Sequence, residues 1–297
     1  MSCVMVLCSL TRQVRLHGKK EHIKGGLNTM DYAELGKGVK YFQGKWPPSQ
    51  GNVKHKYAAL RSKGDQYWLH LERLNEDQLM DEIIDGFLNT KAWNARIPTR
   101  DFKDWAEVKA DLKEAVGQLP EYYAALGGFR MEDIDFQGGT TLKDGRAESN
   151  RSLINHIYSR FLQVKGFGPT AASKLMHMAL PNLFVMCDRD IIQKYCIPVE
   201  KLLGVKGKPR SYIAFLILMQ ENTCHVIKSY PRASELAGPE VVQRIQAGHS
   251  NLSLPRLLDM ANMAVRDCEQ ATCIGCMKKA KARWAELGLM PDSNSGE

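Results

Sequence analysis

A mostly α fold is predicted by three observations. Apolar residues recur at helical spacing in several separate stretches, alternating apolar/polar runs are scarce, and a two-glycine turn joins two helical stretches. No repeat of fixed period is present, which argues against a solenoid or propeller.

Read in chain order, residues 1–45 form a basic, flexible N-terminal segment, with Arg12 to Gly26 punctuated by glycine and free of apolar periodicity. Residues 46–290 form the helical body, which opens on the turn-rich Trp46-Pro47-Pro48-Ser49-Gln50-Gly51. Leu79, Ile83 and Phe87, with Met80, Ile84 and Leu88 beside them, make one amphipathic stripe, and Asn75 suits its cap. Trp105, Val108, Leu112 and Val116 make a second, opened by Asp104 with Glu107 three residues on. Gln137 to Gly145 reads as a Gly/Thr/Asp loop separating this N-terminal helical group from a hairpin region at 150–196. In that region Leu153, Ile157, Phe161 and Val164 share one helical face. After Asp188 the pattern predicts a helix to Cys196, a buried helix around Ile213 to Met219, and a helix from Pro255 to Cys268. Residues 291–297 read as a disordered tail.

The composition narrows the function. Against 33 Asp+Glu stand 41 Lys+Arg, a formal charge of +8 that favours polyanionic partners. The longest apolar run, Tyr212 to Met219, is too short to cross a bilayer, so no membrane partner is expected. Met1 to Leu10 is apolar but lacks a positive lead-in and a small-residue cleavage site, so it does not read as a signal peptide. The 8 cysteines are then expected as thiols or metal ligands, in a cytoplasmic, nucleoid-associated protein. Gln137 to Gly145 lacks the Gly-x-x-x-x-Gly-Lys-Ser/Thr arrangement of a phosphate loop and carries no nucleotide role.

The chemistry concentrates in Val164-Lys165-Gly166-Phe167-Gly168-Pro169-Thr170-Ala171-Ala172 and the later Asp188. Gly166 and Gly168 are expected to reverse the chain through angles closed to other residues. Pro169 suits the first turn of the next helix, and the small Ala172 lets two helices approach. Such a turn directs backbone N–H groups and a helix N-terminus at one spot, which suits a phosphate oxygen. Lys165 and Lys174 flank it and would add salt-sensitive attraction; the plainer alternative is that both are solvated. Asp188 precedes a stretch of helical character and is either a helix cap, a catalytic acid, or both.

These residues resemble the helix-hairpin-helix DNA glycosylase superfamily, whose pattern Leu-Pro-Gly-Val-Gly-x-x-x-Ala is met here by Val-Lys-Gly-Phe-Gly-Pro-Thr-Ala-Ala. In its endonuclease III-like branch the catalytic Asp stands twenty-two residues after the first hairpin glycine, the interval from Gly166 to Asp188. The likeness is confined to roughly Ser152 to Ile192, so the chain would be a divergent member. The resemblance implies a bilobal helical fold with the hairpin and Asp188 on the wall of a cleft between the lobes. It implies duplex DNA held through phosphate contacts at Lys165, Gly166, Phe167, Gly168, Thr170 and Lys174, with Asp188 the catalytic residue. A monomer acting on a damaged or mispaired base without a cofactor is expected.

Two departures shape the expectation. Enzymes of the family that also cut the backbone carry a Schiff-base lysine where this chain has Thr170, so a monofunctional glycosylase is expected. Lys174, one turn on, is the alternative amine. The family's cluster spacing Cys-x6-Cys-x2-Cys-x5-Cys is met only by Cys268, Cys273 and Cys276 with no fourth cysteine, so no metal is assigned. A distant ligand (Cys196, Cys224, His225 or His249) would be needed to complete any site. Trp93, Asn94, Arg96 and Arg100 suit a flipped base but suit a core and a surface better. The alternative functions are a non-catalytic hairpin DNA-binding protein and a helical scaffold for protein contacts.

Overall fold

A computed structural model of the chain describes residues 31–45, 105–187, 191, 208–249, 252–264, 284–285 and 289. These residues are mostly helical, with one two-stranded sheet. The chain divides into two compact units: Trp46–Asp188, and a terminal unit made of Met1–Lys45 with Arg189–Glu297.

In the first unit, α1 (Trp105–Gly117) buries Val108, Leu112 and Val116, the stripe predicted from their spacing. The next helix, α2 (Pro120–Leu126), starts on Pro120, whose missing N–H costs nothing in a first turn. Gln137 to Gly145 is not the plain loop expected. Gly139–Thr141 (β1) pairs antiparallel with Ala147–Ser149 (β2), Thr140 facing Glu148. The turn closes with Leu142 N–H on the Arg146 carbonyl at 2.9 Å and Gly145 at φ 84, a left-handed angle that favours glycine. Strands of three residues, neither face buried, carry too little alternation to be recognised.

The sheet delivers the chain to α3 (Asn150–Gln163). Ser149 caps it by accepting the Ser152 N–H at 3.1 Å. Buried Asn150 ties the sheet to the preceding segment, donating from Nδ2 to the Asp135 carbonyl at 2.8 Å and accepting from Thr140 Oγ1 at 3.0 Å. Leu153, Ile157 and Phe161 are buried as their spacing predicts, with Ile154 and Tyr158 widening the stripe. Beyond a short turn follows α4 (Pro169–Ala179), which packs on α3.

In the terminal unit the expectation for 1–45 is corrected at its end: Tyr32–Lys45 is a helix, α5, with Leu35 and Val39 buried. Two glycines, Gly36 and Gly38, and only a few apolar residues hide it in the sequence. Tertiary packing forms it instead: the helix packs chiefly on α8 (Leu254–Ala264). Its start is held by Tyr32 N–H donating to Ser229 Oγ at 2.8 Å, and by the Tyr32 ring meeting Tyr230 edge-on at 4.8 Å. The expected buried helix is the centre of α6 (Lys208–Lys228), buried from Tyr212 to Met219. Pro255 lies in α8 as expected, though residues 265–268 fall outside the described part. Gly238–Ala247, α7, adds Val241, Val242 and Ile245 to the same core and was not anticipated. No helix among the described residues is long and apolar enough to cross a membrane. The stripe at 79–88, the helix expected after Asp188 and the tail 291–297 lie outside the described residues, Ile191 apart.

Candidate nucleic-acid interface and acid-bearing loop

The hairpin forms because α3 runs out at Gln163 and the backbone turns extended at Val164, with ψ 127. Phe167 N–H closes the turn on the Val164 carbonyl at 3.0 Å. Gly166 sits at φ 76, where a side chain is strained, so this glycine is required by the backbone. Gly168 is a different case, and the expectation of a special angle is corrected there. Its φ of −118 and ψ of −175 suit any residue. A Cβ built on it would meet nothing within 4 Å.

Gly168 is the N-cap of α4 and has no side chain to cap it. Its carbonyl accepts the Ala172 N–H at 3.1 Å. Among the described residues none accepts a hydrogen bond from the N–H of Gly168, Thr170 or Ala171. A helix start in this condition carries partial positive charge and uncovered donors, the requirement for holding an anion.

The flanking side chains are placed less uniformly than expected. Lys165 is exposed and ion-paired, its Nζ 2.6 Å from Glu107 Oε2. Such a pair contributes little to stability, and its carboxylate would compete with a phosphate. Phe167 is buried, so its side chain belongs to the packing beneath the turn. Thr170 is half-buried in the first turn of α4, and buried Ala172 is the close-approach position expected. Lys174 departs most: it is 8% exposed, not a solvated lysine beside the turn. From Ala171 to Ala179 every residue of α4 is buried, Lys174 with them. Its aliphatic stem can line such a surface, whereas its ammonium requires compensation there.

After α4, the loop 180–187 is apolar and buried from Leu183 to Cys187. Its backbone is tied down at several points. Leu183 and Phe184 N–H groups both donate to the Leu180 carbonyl at 3.0 Å, and Met131 N–H donates to Asn182 at 2.9 Å. Two side chains of α4, one helical turn apart, complete the attachment. Ser173 Oγ accepts the Cys187 N–H at 2.8 Å, with carbonyls of Thr170 at 3.3 Å and Cys187 at 3.5 Å available to its proton. His177 Nδ1 is 2.6 Å from the Phe184 carbonyl. A carbonyl only accepts, so Nδ1 carries the proton. Neither residue was singled out from the sequence, although Ser173 and His177 are polar positions i and i+4 that fall on one side of the helix, a visible signal.

Asp188 and its rival Asp190 lie outside the described residues, as do Trp93, Asn94, Arg96, Arg100, Cys196, Cys268, Cys273 and Cys276. Of the distant metal ligands considered, Cys224 is half-buried and in no disulfide. Burial holds the imidazoles of His225 and His249 below their ordinary value, Lys228 adding to this for the first and Lys40 for the second, while Asp31 opposes it at His225. Among the described residues no group of three His, Cys, Asp or Glu is placed to hold a metal ion. Compared with known proteins, the chain matches no family model, no curated protein and no solved structure.

Proposed function

We propose that the protein is a monofunctional DNA N-glycosylase of helix-hairpin-helix type, acting on a damaged or mispaired base. One observation carries the reading. A turn made possible by left-handed Gly166 leads into an uncovered helix start, and the loop that follows is anchored up to Cys187, the residue before Asp188.

On this reading a DNA phosphate sits at the start of α4, held by the N–H groups of Gly168 and Thr170 with Lys165 at the rim. The contact positions the duplex without reading its sequence. A base must leave the stack to be attacked, and a weakly paired base leaves at the smallest cost. As the bond from the sugar to the base nitrogen breaks, positive charge grows on the sugar, and the carboxylate of Asp188 stabilises it. The same carboxylate takes a proton from the water that adds to the anomeric carbon, the departing base nitrogen takes one from solvent, and the carboxylate returns its own to solvent afterwards. Thr170 has no amine, so the reaction ends at an abasic site with the backbone intact.

The test is incubation of the protein with duplexes carrying a panel of lesions and mismatches, followed by alkali. Strand cuts appearing only after alkali support the reading, and borohydride should trap no protein–DNA adduct. Salt-dependent duplex binding with no base released from any duplex would leave the non-catalytic DNA-binding protein in its place.

A further inference from the structure

We infer that α5 is an acid-released strap: it stays docked on α8 while the imidazole of His249 is neutral, and a proton gained there loosens it. The helix has little stability of its own. Gly36 and Gly38 interrupt it, and Leu35 and Val39 are the buried side chains among its described residues. Packing on α8, the Tyr32 N–H on Ser229 Oγ at 2.8 Å and the Tyr32 ring against Tyr230 hold it in place. A helix held by a few tertiary contacts opens at a smaller cost than the core beneath it.

His249 follows α7, its N–H donating to the Gln246 carbonyl at 3.0 Å. Its ring meets the face of α5 formed by Tyr32, Gly36 and Lys40, residues spaced four apart. The Tyr32 ring centre lies 6.4 Å away, and a Cβ built on Gly36 would stand 3.9 Å from the imidazole Cε1. Nε2, bonded to that carbon, is buried and has no hydrogen-bond partner. A neutral ring can leave this nitrogen bare as an acceptor, whereas a cationic ring places an N–H there with nothing to receive it. Burial and then Lys40 oppose the charged form. No described carboxylate offsets them: Glu240 on α7 is paired with Arg244, and Asp259 on α8 with Arg256. The other imidazole near α5, His225 on α6, differs. Burial and Lys228 oppose its charge, but Asp31, just ahead of α5, favours it. Undocking gives Nε2 to water and carries Lys40 away, so the undocked state takes up the proton first as pH falls. Docking is therefore at full strength above the ordinary value of 6.5 and weakens as pH falls through the depressed one.

The experiment is amide hydrogen exchange on the full chain at pH 7 and pH 5, each rate corrected for the intrinsic exchange rate at that pH. We expect protection of Leu35 and Val39 to fall by about threefold to tenfold on acidification, while Ile213 and Phe215 in the centre of α6 change less. His249→Gln, which cannot take the proton, should lose most of that fall. Lys40→Gln keeps the imidazole and removes the charge beside it, so the fall should shrink. A histidine that only fills space predicts weaker protection in His249→Gln at both pH values with the fall intact. Equal protection of Leu35 and Val39 at both pH values in the wild type overturns the inference. So does a fall matched by Ile213 and Phe215, or one of the same size in His249→Gln. If His249→Gln does not fold, Lys40→Gln decides: a diminished fall supports the strap, and an undiminished one overturns it.

Discussion

The two units of the chain differ in what they offer a polyanion. Residues 46–188, which contain the hairpin, hold 18 Lys+Arg and 19 Asp+Glu. The two terminal segments together hold 23 and 14, more than the whole excess of positive charge. Four of the described cations of the hairpin unit are also locally answered: Lys165 by Glu107, Arg160 by Glu114, Arg146 by Asp144 and Arg130 by Glu132. In the terminal unit Arg232 and Arg244 are paired as well, but Lys37 and Lys40 on α5 are exposed and make no ion pair among the described residues. Long-range attraction follows net charge, whereas a specific phosphate contact follows oriented N–H groups. The overall +8 therefore says nothing about the hairpin, and the hairpin does not need it. Attraction and docking are assigned to different parts of the chain.

The largest effect should come from the hairpin unit's one proposed catalytic group. Asp188→Asn should lower base release by on the order of a hundredfold or more while duplex affinity stays within a few-fold. The amide keeps the shape of the carboxylate but neither accepts a proton nor opposes positive charge. Full base release by this variant would reduce Asp188 to a helix cap.

Next come the two glycines, which the backbone separates. Gly166→Ala forces a side chain into the left-handed region at φ 76 and should cost about 1–2 kcal/mol of stability, visible as a lowered melting temperature. Gly168→Ala should leave melting unchanged, since its Cβ meets open space, yet weaken duplex binding several-fold by crowding the N–H groups. Equal affinities for wild type and Gly168→Ala would remove the helix start from the DNA-binding account.

Charge removal sharpens the comparison further. Replacing Lys37 and Lys40 with Gln should flatten the salt dependence of duplex binding by roughly 0.9 per lost phosphate contact. Lys165→Gln should change it less, because Glu107 already neutralises that lysine. A larger change from Lys165 would place the electrostatic contact in the hairpin unit and break the division proposed here.

The smallest effect concerns acid. Burial lowers His249 from an ordinary value of 6.5, so the unfolded chain takes up its proton first as pH falls. The associated stability is present above that ordinary value and is lost as pH falls through the depressed one. His225 contributes in the same direction, as does His156 in the hairpin unit. Glu132 acts oppositely. Burial raises its value above 4.5, outweighing the opposing effects of its backbone hydrogen bond and Arg130, so its contribution is present in acid and fades as pH rises through the raised value. Denaturant titrations of His249→Gln and wild type should diverge by less at pH 5 than at pH 7. A constant difference would show that His249 titrates alike in both states.

Much of the helical framework was legible, for a physical reason. Val108, Leu112 and Val116, and then Leu153, Ile157 and Phe161, each repeat on one face, and a single buried face is a local property of the sequence. The run Tyr212 to Met219 was legible as core because no polar residue interrupts it. Gly166 was legible as a turn residue because only glycine takes its angle without strain. The helix α5 was not, since its stability comes from Leu35 and Val39 meeting α8 more than two hundred residues later. The short β1–β2 hairpin was hidden by its length.

For the candidate site the division is sharper. By itself the sequence determined the turn, the helix behind it and the interval from Gly166 to Asp188. Only the tertiary structure decided which side chains around that turn meet water. It buried Lys174 with the rest of its helix from Ala171 to Ala179, set Lys165 against Glu107, and seated Phe167 in the packing. It also joined Ser173 to Cys187 and His177 to Phe184, partners fourteen and seven residues apart whose meeting depends on how the loop folds back over α4. Periodicity records which face of one element is apolar. It does not record what lies opposite, and burial, ion pairing and hydrogen bonding between elements are all decided by what lies opposite.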